Sequence, residues 1–239
     1  MISLSNLIAI VGAMDEEINS LGQKLKEAEE HSVRFGKFPL LTGRLNNCSV
    51  VIARSGIGKV NVSLTTQHLI DRFPLKAIIN TGVAGGLHPR VALGDLIISR
   101  DSVQHDFDTG QLGYPRGVIP RLESSVFTAD PQLVEKAVKV AQRILAAEQI
   151  HQGLIISGDQ FVSSQEQKKT LRSFFPAALC VEMEGAALAH VAHLNNIPHL
   201  ILRAVSDHAD NTAPQDFELY LEKTIPILNQ IIQDLVPRL

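Results

Sequence analysis

The sequence predicts an α/β fold in a single domain, residues 1–239. Short apolar runs rich in β-branched residues alternate with helical patterns along most of the chain, and this alternation is typical of α/β proteins. With 45% hydrophobic and 20% charged residues, 239 residues can bury one large core without dividing into two domains. We therefore expect strands and helices to pack around one core.

Seven apolar runs are candidate strands, and each has the length of a buried strand. They cover residues 7–13, 49–54, 77–80, 96–99, 153–157, 179–181 and 199–205, and residues 38–45 are a further candidate for a pair of edges. The first run has no basic segment before it and leads directly into Asp15, Glu16 and Glu17. A strand therefore explains it better than a secretion signal does.

Helical patterns fill the gaps between these runs. They cover residues 15–30, 58–73, 131–149, a short segment after Ser163, 184–195 and 217–236. The second pattern ends before Pro74, Asp130 and Pro131 are a cap and first residue for the third, and Ser163 opens a capping-box sequence. Residues 100–125 are too long and too rich in Gly and Pro for an ordinary connection, so we expect a functional or interface loop.

Composition restricts the classes of partner. The net charge is −3 and no basic stripe is present, which argues against nucleic acid and anionic membranes and favours a small molecule. No apolar run approaches the roughly 20 residues that span a bilayer. Cys48 and Cys180 lie in apolar runs, as in proteins of a reducing compartment, so we expect a cytoplasmic protein. His190 and His193 lack a third ligand at suitable spacing, and neither a metal nor a cofactor is expected.

Polar or glycine-rich sequences follow four of the candidate strands. They are residues 12–17, 80–86, 157–161 and 206–207. In an open α/β sheet, ligands bind at the carboxyl ends of the strands, so these segments should line one cleft. Asp207 is then a candidate general acid. The glycine-rich segment 82–86 has neither dinucleotide-binding nor P-loop spacing, and a tight turn is an equal alternative for it.

A second acidic feature lies between a short strand and an alanine-rich helix. In the sequence Val181-Glu182-Met183-Glu184, two carboxylates flank a methionine where one would be ordinary. A carboxylate accepts two hydrogen bonds at once, so Glu184 is a candidate ligand for paired sugar hydroxyls. For Glu182, capping of the helix dipole is the alternative.

Six motifs in one register resemble the 5'-methylthioadenosine/S-adenosylhomocysteine nucleosidases, from about Leu7 to Val236. They are Gly12-Ala13-Met14 with Glu16-Glu17, Ser55-Gly56-Ile57-Gly58-Lys59, Asn80-Thr81-Gly82 with Ala84-Gly85-Gly86, Ser157-Gly158-Asp159, Val181-Glu182-Met183-Glu184, and Arg203 with Ser206-Asp207. The resemblance implies a nucleoside phosphorylase-like fold with a central mixed sheet flanked by helices. It also implies a homodimer that hydrolyses the N-glycosidic bond of 5'-modified adenosines.

The resemblance also implies a role for each site residue. Asp207 would protonate the adenine at N7 with support from Ser206, and Glu17 would orient and deprotonate the attacking water; both roles agree with general acid–base chemistry. The implied substrate contacts are Met14, Ile57, Val83, Ala84, Gly85, Phe161, Val162, Glu182, Met183, Glu184, Arg203, Ser206 and Phe217.

Several of these contacts have a specific task in the resemblance, and for some of them the sequence leaves an alternative role. Glu184 and the Met183 backbone would hold the ribose hydroxyls, and Phe161 with the Val162 backbone would recognise adenine. Arg203 would lie beside the water and the sugar, or could be a structural ion-pair partner. Phe161 and Phe217 could equally be core aromatics.

The pocket for the 5' substituent is implied to include the partner subunit. His105, Thr109, Leu112 and Pro120 are the residues implied to reach it. Leu112 stands where the family often has phenylalanine, and Val83 where many members have a serine that touches the ligand. Both departures leave the preferred 5' group open.

Relatives also differ in the pathway they serve. The segments 103–106 and 157–162 look like a subgroup that also hydrolyses 6-amino-6-deoxyfutalosine, a menaquinone precursor. Methionine salvage and menaquinone synthesis therefore both remain open, and 5'-deoxyadenosine is a further candidate substrate.

Two rival functions remain. A purine nucleoside phosphorylase would share the fold, but it must bind phosphate, and the acids Asp15, Glu16 and Glu17 would repel that anion. A non-catalytic nucleoside-binding protein would have lost the acid or the base, whereas Asp207 and Glu17 are both present.

Overall fold

The computed structural model describes residues 6–33 and 40–239. Its strands are β1 (Leu7–Gly12), β2 (Lys26–His31), β3 (Leu40–Leu45), β4 (Cys48–Arg54), β5 (Leu75–Gly86), β6 (Leu96–Gln104), β7 (Phe127–Thr128), β8 (Ile150–Ser157), β9 (Ala178–Glu182) and β10 (His199–Asp207). Its α-helices are α1 (Asp15–Gly22), α2 (Lys59–Arg72), α3 (Pro131–Ala141), α4 (Gln165–Phe174), α5 (Gly185–Leu194) and α6 (Ala213–Leu235).

The strands form one mixed sheet, which confirms the predicted fold class. Its order is β10-β6-β8-β9-β5-β1-β4-β3-β2, with β7 beside β6. Strand β10 pairs with β6 and also with β5, so β10, β6, β8, β9 and β5 close into a ring while β1 to β4 extend from it. Strands β1, β5, β8, β9 and β10 all bring their carboxyl ends to the same region, where Ser157 pairs with Glu182 and Asp207 with Gly85.

The alternation of side chains along β1 explains how the sheet packs on both faces. Ile8 and Ile10 point to one side, where they join a cluster with α1, α3 and α6, whereas Leu7, Ala9 and Val11 point to the other, against α2 and α5. Such alternation follows from the period of two in a strand. Because both faces are buried, the strand reads as an uninterrupted apolar run.

Three of the predicted helix boundaries are wrong. The first helix ends at Gly22 rather than residue 30, and residues 26–31 form an edge strand paired with β3. The third helix keeps its cap Asp130 but ends at Ala141 rather than residue 149, because Ile144 and Leu145 donate to the Ala141 carbonyl and turn the chain. The sixth begins at Ala213 rather than residue 217.

Two further predictions need correction. Residues 82–86 are not a turn but the end of β5, which pairs there with β9 and β10. The cap of α4 is Ser164, not Ser163: its hydroxyl accepts from the Gln167 N–H at 3.2 Å. Of the edge candidate 38–45, residues 40–45 form β3, while residues 38 and 39 lie outside the described ranges. Across the described ranges, no helix has the length and apolarity needed to cross a membrane.

Candidate active site

A cavity of about 540 Å³ opens where the strand ends converge. Every residue predicted for catalysis or substrate contact lines it except Arg203. The lining from that set is Met14, Glu17, Ile57, Val83, Ala84, Gly85, Phe161, Val162, Glu182, Met183, Glu184, Ser206, Asp207 and Phe217. Ala13, Gln160, Val181, Pro214 and Glu218 complete it. The sequence motifs therefore meet in one place.

Glu17 is a buried carboxylate held by backbone donors. Its Oε2 accepts from the N–H groups of Ala13 at 2.7 Å and Met14 at 3.1 Å, and its Oε1 accepts from Val83 N–H at 3.2 Å. The bond to Met14 is the return half of a capping box at the start of α1, which explains why the third helical residue points back into the cavity. Burial raises its pKa, opposed by the Arg203 charge and these N–H groups.

Asp207 ends β10 on the other side of the cavity. The Ser206 hydroxyl donates to its Oδ2 at 2.8 Å, and Ala209 N–H donates to its Oδ1 at 2.8 Å. Burial raises the pKa of Asp207, and these two hydrogen bonds only partly offset that effect. A side chain at Gly85 would place its Cβ 2.8 Å from Asp207 Oδ1, so glycine there makes room for the acid. The group is thus suited to hold a proton for transfer.

Glu182 and Arg203 form a buried ion pair beneath the cavity. Arg203 is 2% exposed, and its Nε donates to Glu182 Oε2 at 3.2 Å while its Nη2 bonds both Glu182 and Asn80. Glu182 also accepts from Ser157 Oγ and from Gly185 N–H at the start of α5. Burial alone would raise the pKa of Glu182, but the Arg203 charge and these donors hold it below its usual range. The carboxylate therefore has protein partners on both oxygens.

Glu184 differs from Glu182 in keeping one oxygen free of protein donors among the described contacts. Its Oε1 accepts from Gly58 N–H, at the N-terminus of α2, at 2.7 Å. Burial and the neighbouring Glu182 charge raise the pKa of Glu184 to about 8, against smaller opposing effects from Arg203 and Gly58. Glu184 lines the cavity, and its second oxygen is available as a ligand for hydroxyl groups.

We expect E184Q to stabilise the fold, and more at about pH 8.5 than at about pH 5. The folded protein keeps the Glu184 proton up to about pH 8, whereas the unfolded chain releases it near the ordinary value. The wild type therefore loses stability as pH rises through that window, and glutamine does not titrate. Thermal unfolding at both pH values measures the effect, and we expect the Tm difference to widen by about 2 °C or more.

Glu218 provides the matched control, because it lines the same cavity but is exposed. Substitutions at exposed positions usually change stability little, so E218Q should leave the Tm close to that of wild type. If the Tm difference between E184Q and wild type were the same at both pH values, Glu184 would not hold a proton in the folded protein that it releases on unfolding.

Two aromatic rings form the mouth of the cavity. Phe161 is 47% exposed, which excludes the core-aromatic alternative for it, and its ring meets that of the half-buried Phe217 edge-on at 6.1 Å between centroids. Both residues line the cavity, and aromatic rings are suited to pack against a flat heteroaromatic base.

The residues implied to reach a partner subunit do not line this cavity. Leu112 is 71% exposed on the long loop, Thr109 and Pro120 are half-buried, and the His105 ring is completely buried. The loop is anchored, since Arg116 Nε donates to the His105 carbonyl at 2.9 Å and its guanidinium lies over the Phe174 ring. His190 stacks on Phe127 at 4.5 Å.

Sequence reasoning missed Pro214 and Glu218 because the last helix begins earlier than predicted. With α6 starting at Ala213, Pro214, Phe217 and Glu218 lie at positions i, i+3 and i+4 on one face of its first turns. The spacing from Phe217 was the available signal.

Comparison with known proteins places the chain among purine-processing relatives. The model of the phosphorylase superfamily matches residues 7–236. A curated relative from Staphylococcus aureus, named 5'-methylthioadenosine/S-adenosylhomocysteine nucleosidase, is 41% identical over 233 residues, covering 98% of this chain and all of the relative.

Solved structures with the same kind of name are also similar. The 5'-methylthioadenosine/S-adenosylhomocysteine nucleosidase of Neisseria meningitidis, in complex with methylthio-immucillin-A, aligns with a TM-score of 0.91 at 38% identity, covering 98% of this chain and 100% of that one. The S-adenosylhomocysteine nucleosidase of Streptococcus pyogenes, in complex with 5-methylthiotubericidin, aligns with a TM-score of 0.92 at 33% identity, covering 100% and 99%.

Proposed function

The chain belongs to the phosphorylase superfamily and, within it, to the 5'-methylthioadenosine/S-adenosylhomocysteine nucleosidases; on this premise we propose how it hydrolyses the N-glycosidic bond. The substrates are 5'-modified adenosines, and the products are adenine and a 5'-substituted ribose. Asp207 is the general acid and Glu17 positions and activates water. The observation that carries these roles is the pair of buried carboxyl groups with raised pKa that line one cavity, Glu17 from the first turn of α1 and Asp207 from the end of β10.

The proposed reaction needs one proton donor and one proton acceptor. As the bond between adenine and C1' of the ribose breaks, its electron pair goes to the base, and Asp207 supplies the proton that makes adenine a neutral leaving group. The positive charge left on the sugar is met by the oxygen of a water molecule, whose proton passes to Glu17. The raised pKa of each residue brings it closer to the working pH, where proton transfer is most effective.

The remaining lining residues hold the two halves of the nucleoside. Glu184, through its free oxygen, and the Met183 backbone bind the ribose hydroxyls. Phe161 stacks on the base, with the Val162 backbone beside it, and Phe217 meets the Phe161 ring edge-on in the same lining. Arg203 acts from below, by holding Glu182 ionised and by contributing positive charge near Glu17.

The lining also argues against a phosphorylase. None of the described residues that line the cavity is Lys, Arg or His, while five are acidic: Glu17, Glu182, Glu184, Asp207 and Glu218. A phosphate nucleophile needs cationic side chains or a free helix N-terminus. Because an acidic lining repels phosphate but not neutral water, water is the nucleophile that this cavity favours.

We expect adenine release from 5'-methylthioadenosine and S-adenosylhomocysteine at the same rate with and without phosphate, with kcat/KM of about 10⁴ M⁻¹s⁻¹ or more. A coupled adenine assay measures the rate, and the sugar product is identified chemically. Strict dependence on phosphate, with a ribose 1-phosphate product, would mean a phosphorylase. Tight analogue binding without turnover would mean a nucleoside-binding protein.

The same assay ranks the open substrates. Rates for 5'-deoxyadenosine and 6-amino-6-deoxyfutalosine, compared as kcat/KM with those for the two sulfur-containing nucleosides, measure discrimination at the 5' end. A preference for the futalosine would assign the chain to menaquinone synthesis, and the reverse preference to methionine salvage.

A homodimer is the assembly that we propose. Val60 and Leu64 are 77% and 47% exposed at i and i+4 on α2, and Ile57, 53% exposed, precedes them. This stripe and the exposed Leu112 suit a face buried against a second copy, where Leu112 would reach the partner's 5' pocket. Sedimentation equilibrium tests the dimer.

The free thiols of Cys48 and Cys180 are consistent with a location in the reducing cytoplasm.

A further inference from the structure

Three charged side chains outside the cavity lining join three of the loops that follow strands. Lys59 Nζ donates to Asp106 Oδ1 at 2.6 Å, the backbone N–H of Asp159 donates to Asp106 Oδ2 at 3.0 Å, and Lys59 N–H donates to Asp159 Oδ1 at 2.8 Å. We call Lys59, Asp106 and Asp159 the clasp. It connects the segments that follow β4, β6 and β8, which are far apart along the chain.

The clasp reaches the cavity through the N-terminus of α2. The first N–H groups of a helix have no partner within it and attract negative charge. Here two carboxylates from different loops take them: Glu184 accepts from Gly58 N–H at 2.7 Å and Asp159 from Lys59 N–H. The helix end that fixes Glu184 is therefore itself held by the clasp.

The clasp also holds the segment that carries the cavity residue Phe161. Asp159 lies two residues before Phe161, and Gly158 N–H donates to the Glu182 carbonyl at 3.1 Å. A side chain at Gly158 would place its Cβ 2.6 Å from Cε1 of the His105 ring and 3.0 Å from Asp106 Cγ, so the two loops pack without a gap. A shift at Asp106 is thus transmitted to the loop of Phe161.

The ion pair at the centre of the clasp is shielded from water. The Lys59 and Asp106 side chains are each 18% exposed. Burial alone would raise the pKa of Asp106, but the Lys59 and Asp159 donors outweigh it and hold that pKa below its usual range. The charged form of Asp106 is therefore favoured, as its ion pair with Lys59 requires.

We infer that Asp106 and Lys59 are positioning residues for nucleoside binding, acting through Gly58 on Glu184 and through Asp159 on Phe161. The inference rests on the proposed function, because it assigns the ribose hydroxyls to Glu184 and the base to Phe161. Neither Asp106 nor Lys59 lines the cavity or touches a reacting atom. Their loss should therefore weaken binding more than it slows the chemical step.

We expect D106A to raise KM for 5'-methylthioadenosine, and Kd for methylthio-immucillin-A, by about tenfold, while kcat stays within about threefold of wild type. D106N, which keeps an acceptor for one of the two donors, should fall between D106A and wild type. K59M tests the same pair from the other side and serves if D106A does not fold. E135A is the matched control, since it breaks the exposed Glu135–Lys139 pair and should change neither constant.

A double-mutant cycle separates positioning from general loosening of the fold. In the E184A background, which removes the acceptor of Gly58 N–H through which the clasp acts, D106A should raise Kd by less than about threefold, because coupled residues are not additive. Equal effects in both backgrounds, or an unchanged Kd in D106A and K59M, would overturn the inference. Calorimetric Kd values do not require turnover, so a wild type that binds but releases no adenine would refute the proposed function alone.

Discussion

Replacing Asp207 with asparagine should lower kcat for adenine release by about 10²–10⁴-fold, the usual contribution of a positioned general acid. Asparagine has nearly the same shape, and its amide oxygen can still accept from either Ser206 Oγ or Ala209 N–H. It cannot deliver a proton to the departing base. Binding of methylthio-immucillin-A should remain within about tenfold, because the ribose and aromatic contacts are intact. Steady-state kinetics and calorimetry measure the two effects.

The control for Asp207 lies three residues further along the chain. Asp210 accepts from Thr212 N–H at 3.0 Å in the same loop but does not line the cavity. D210N should therefore retain most of the activity. Comparable losses in D207N and D210N would indicate a disturbed loop rather than a missing acid, and near-normal turnover by D207N would exclude the assigned role.

The predicted fold was right where the sequence pattern is set by burial, and wrong where it is set by pairing at an edge. Strands β1 and β10 are buried on both faces and read as apolar runs. Strand β2 carries the sequence Lys-Glu-Ala-Glu-Glu-His, exposed along most of its length, and only its hydrogen bonds to β3 make it a strand. The composition of residues 26–31 does not indicate that they pair with β3, so a helix was predicted for them.

The prediction of a turn at the glycine-rich end of β5 was wrong for a related reason. Gly82 and Gly85 are glycines because Glu17 and Asp207 lie against them, and a Cβ at either position would collide with a carboxylate. Sequence reasoning interpreted these glycines as freedom to turn, whereas they provide space for the acids. Contacts between distant segments decide between the two interpretations.

The two acids at the junction of β9 and α5 mark the limit of prediction at the site. Spacing places Glu182 and Glu184 beside the same cavity, and both line it. It cannot reveal that Arg203 and Ser157 occupy the first of them, while Gly58 N–H takes only one oxygen of the second. The strand-end motifs located the cavity, but the different roles of the two neighbouring carboxylates depend on partners from two other strands and the start of a helix.

Replacing Glu17 with glutamine should reduce kcat by about 10²–10⁴-fold, because the variant no longer accepts a proton from the attacking water. The change also has a structural cost. The three backbone N–H groups that face the Glu17 oxygens require acceptors, and the amide nitrogen of glutamine must face at least one of them. Analogue Kd and Tm should accompany the kinetics, so that lost chemistry is distinguished from a displaced side chain.

The pH profile gives the sharper readout for Glu17. The base must be ionised to act, so wild-type activity should fall on the acidic side as pH drops through the raised pKa of Glu17, whereas the acid Asp207 must be protonated and limits the alkaline side. In E17Q the acidic limb should vanish from the residual activity while the alkaline limb remains. If the pH profile of E17Q kept both limbs, the acidic limb would belong to another group, and Glu17 would not be the base. Because Arg203 and the backbone N–H groups favour the ionised form, they set how far into acid the wild type can work.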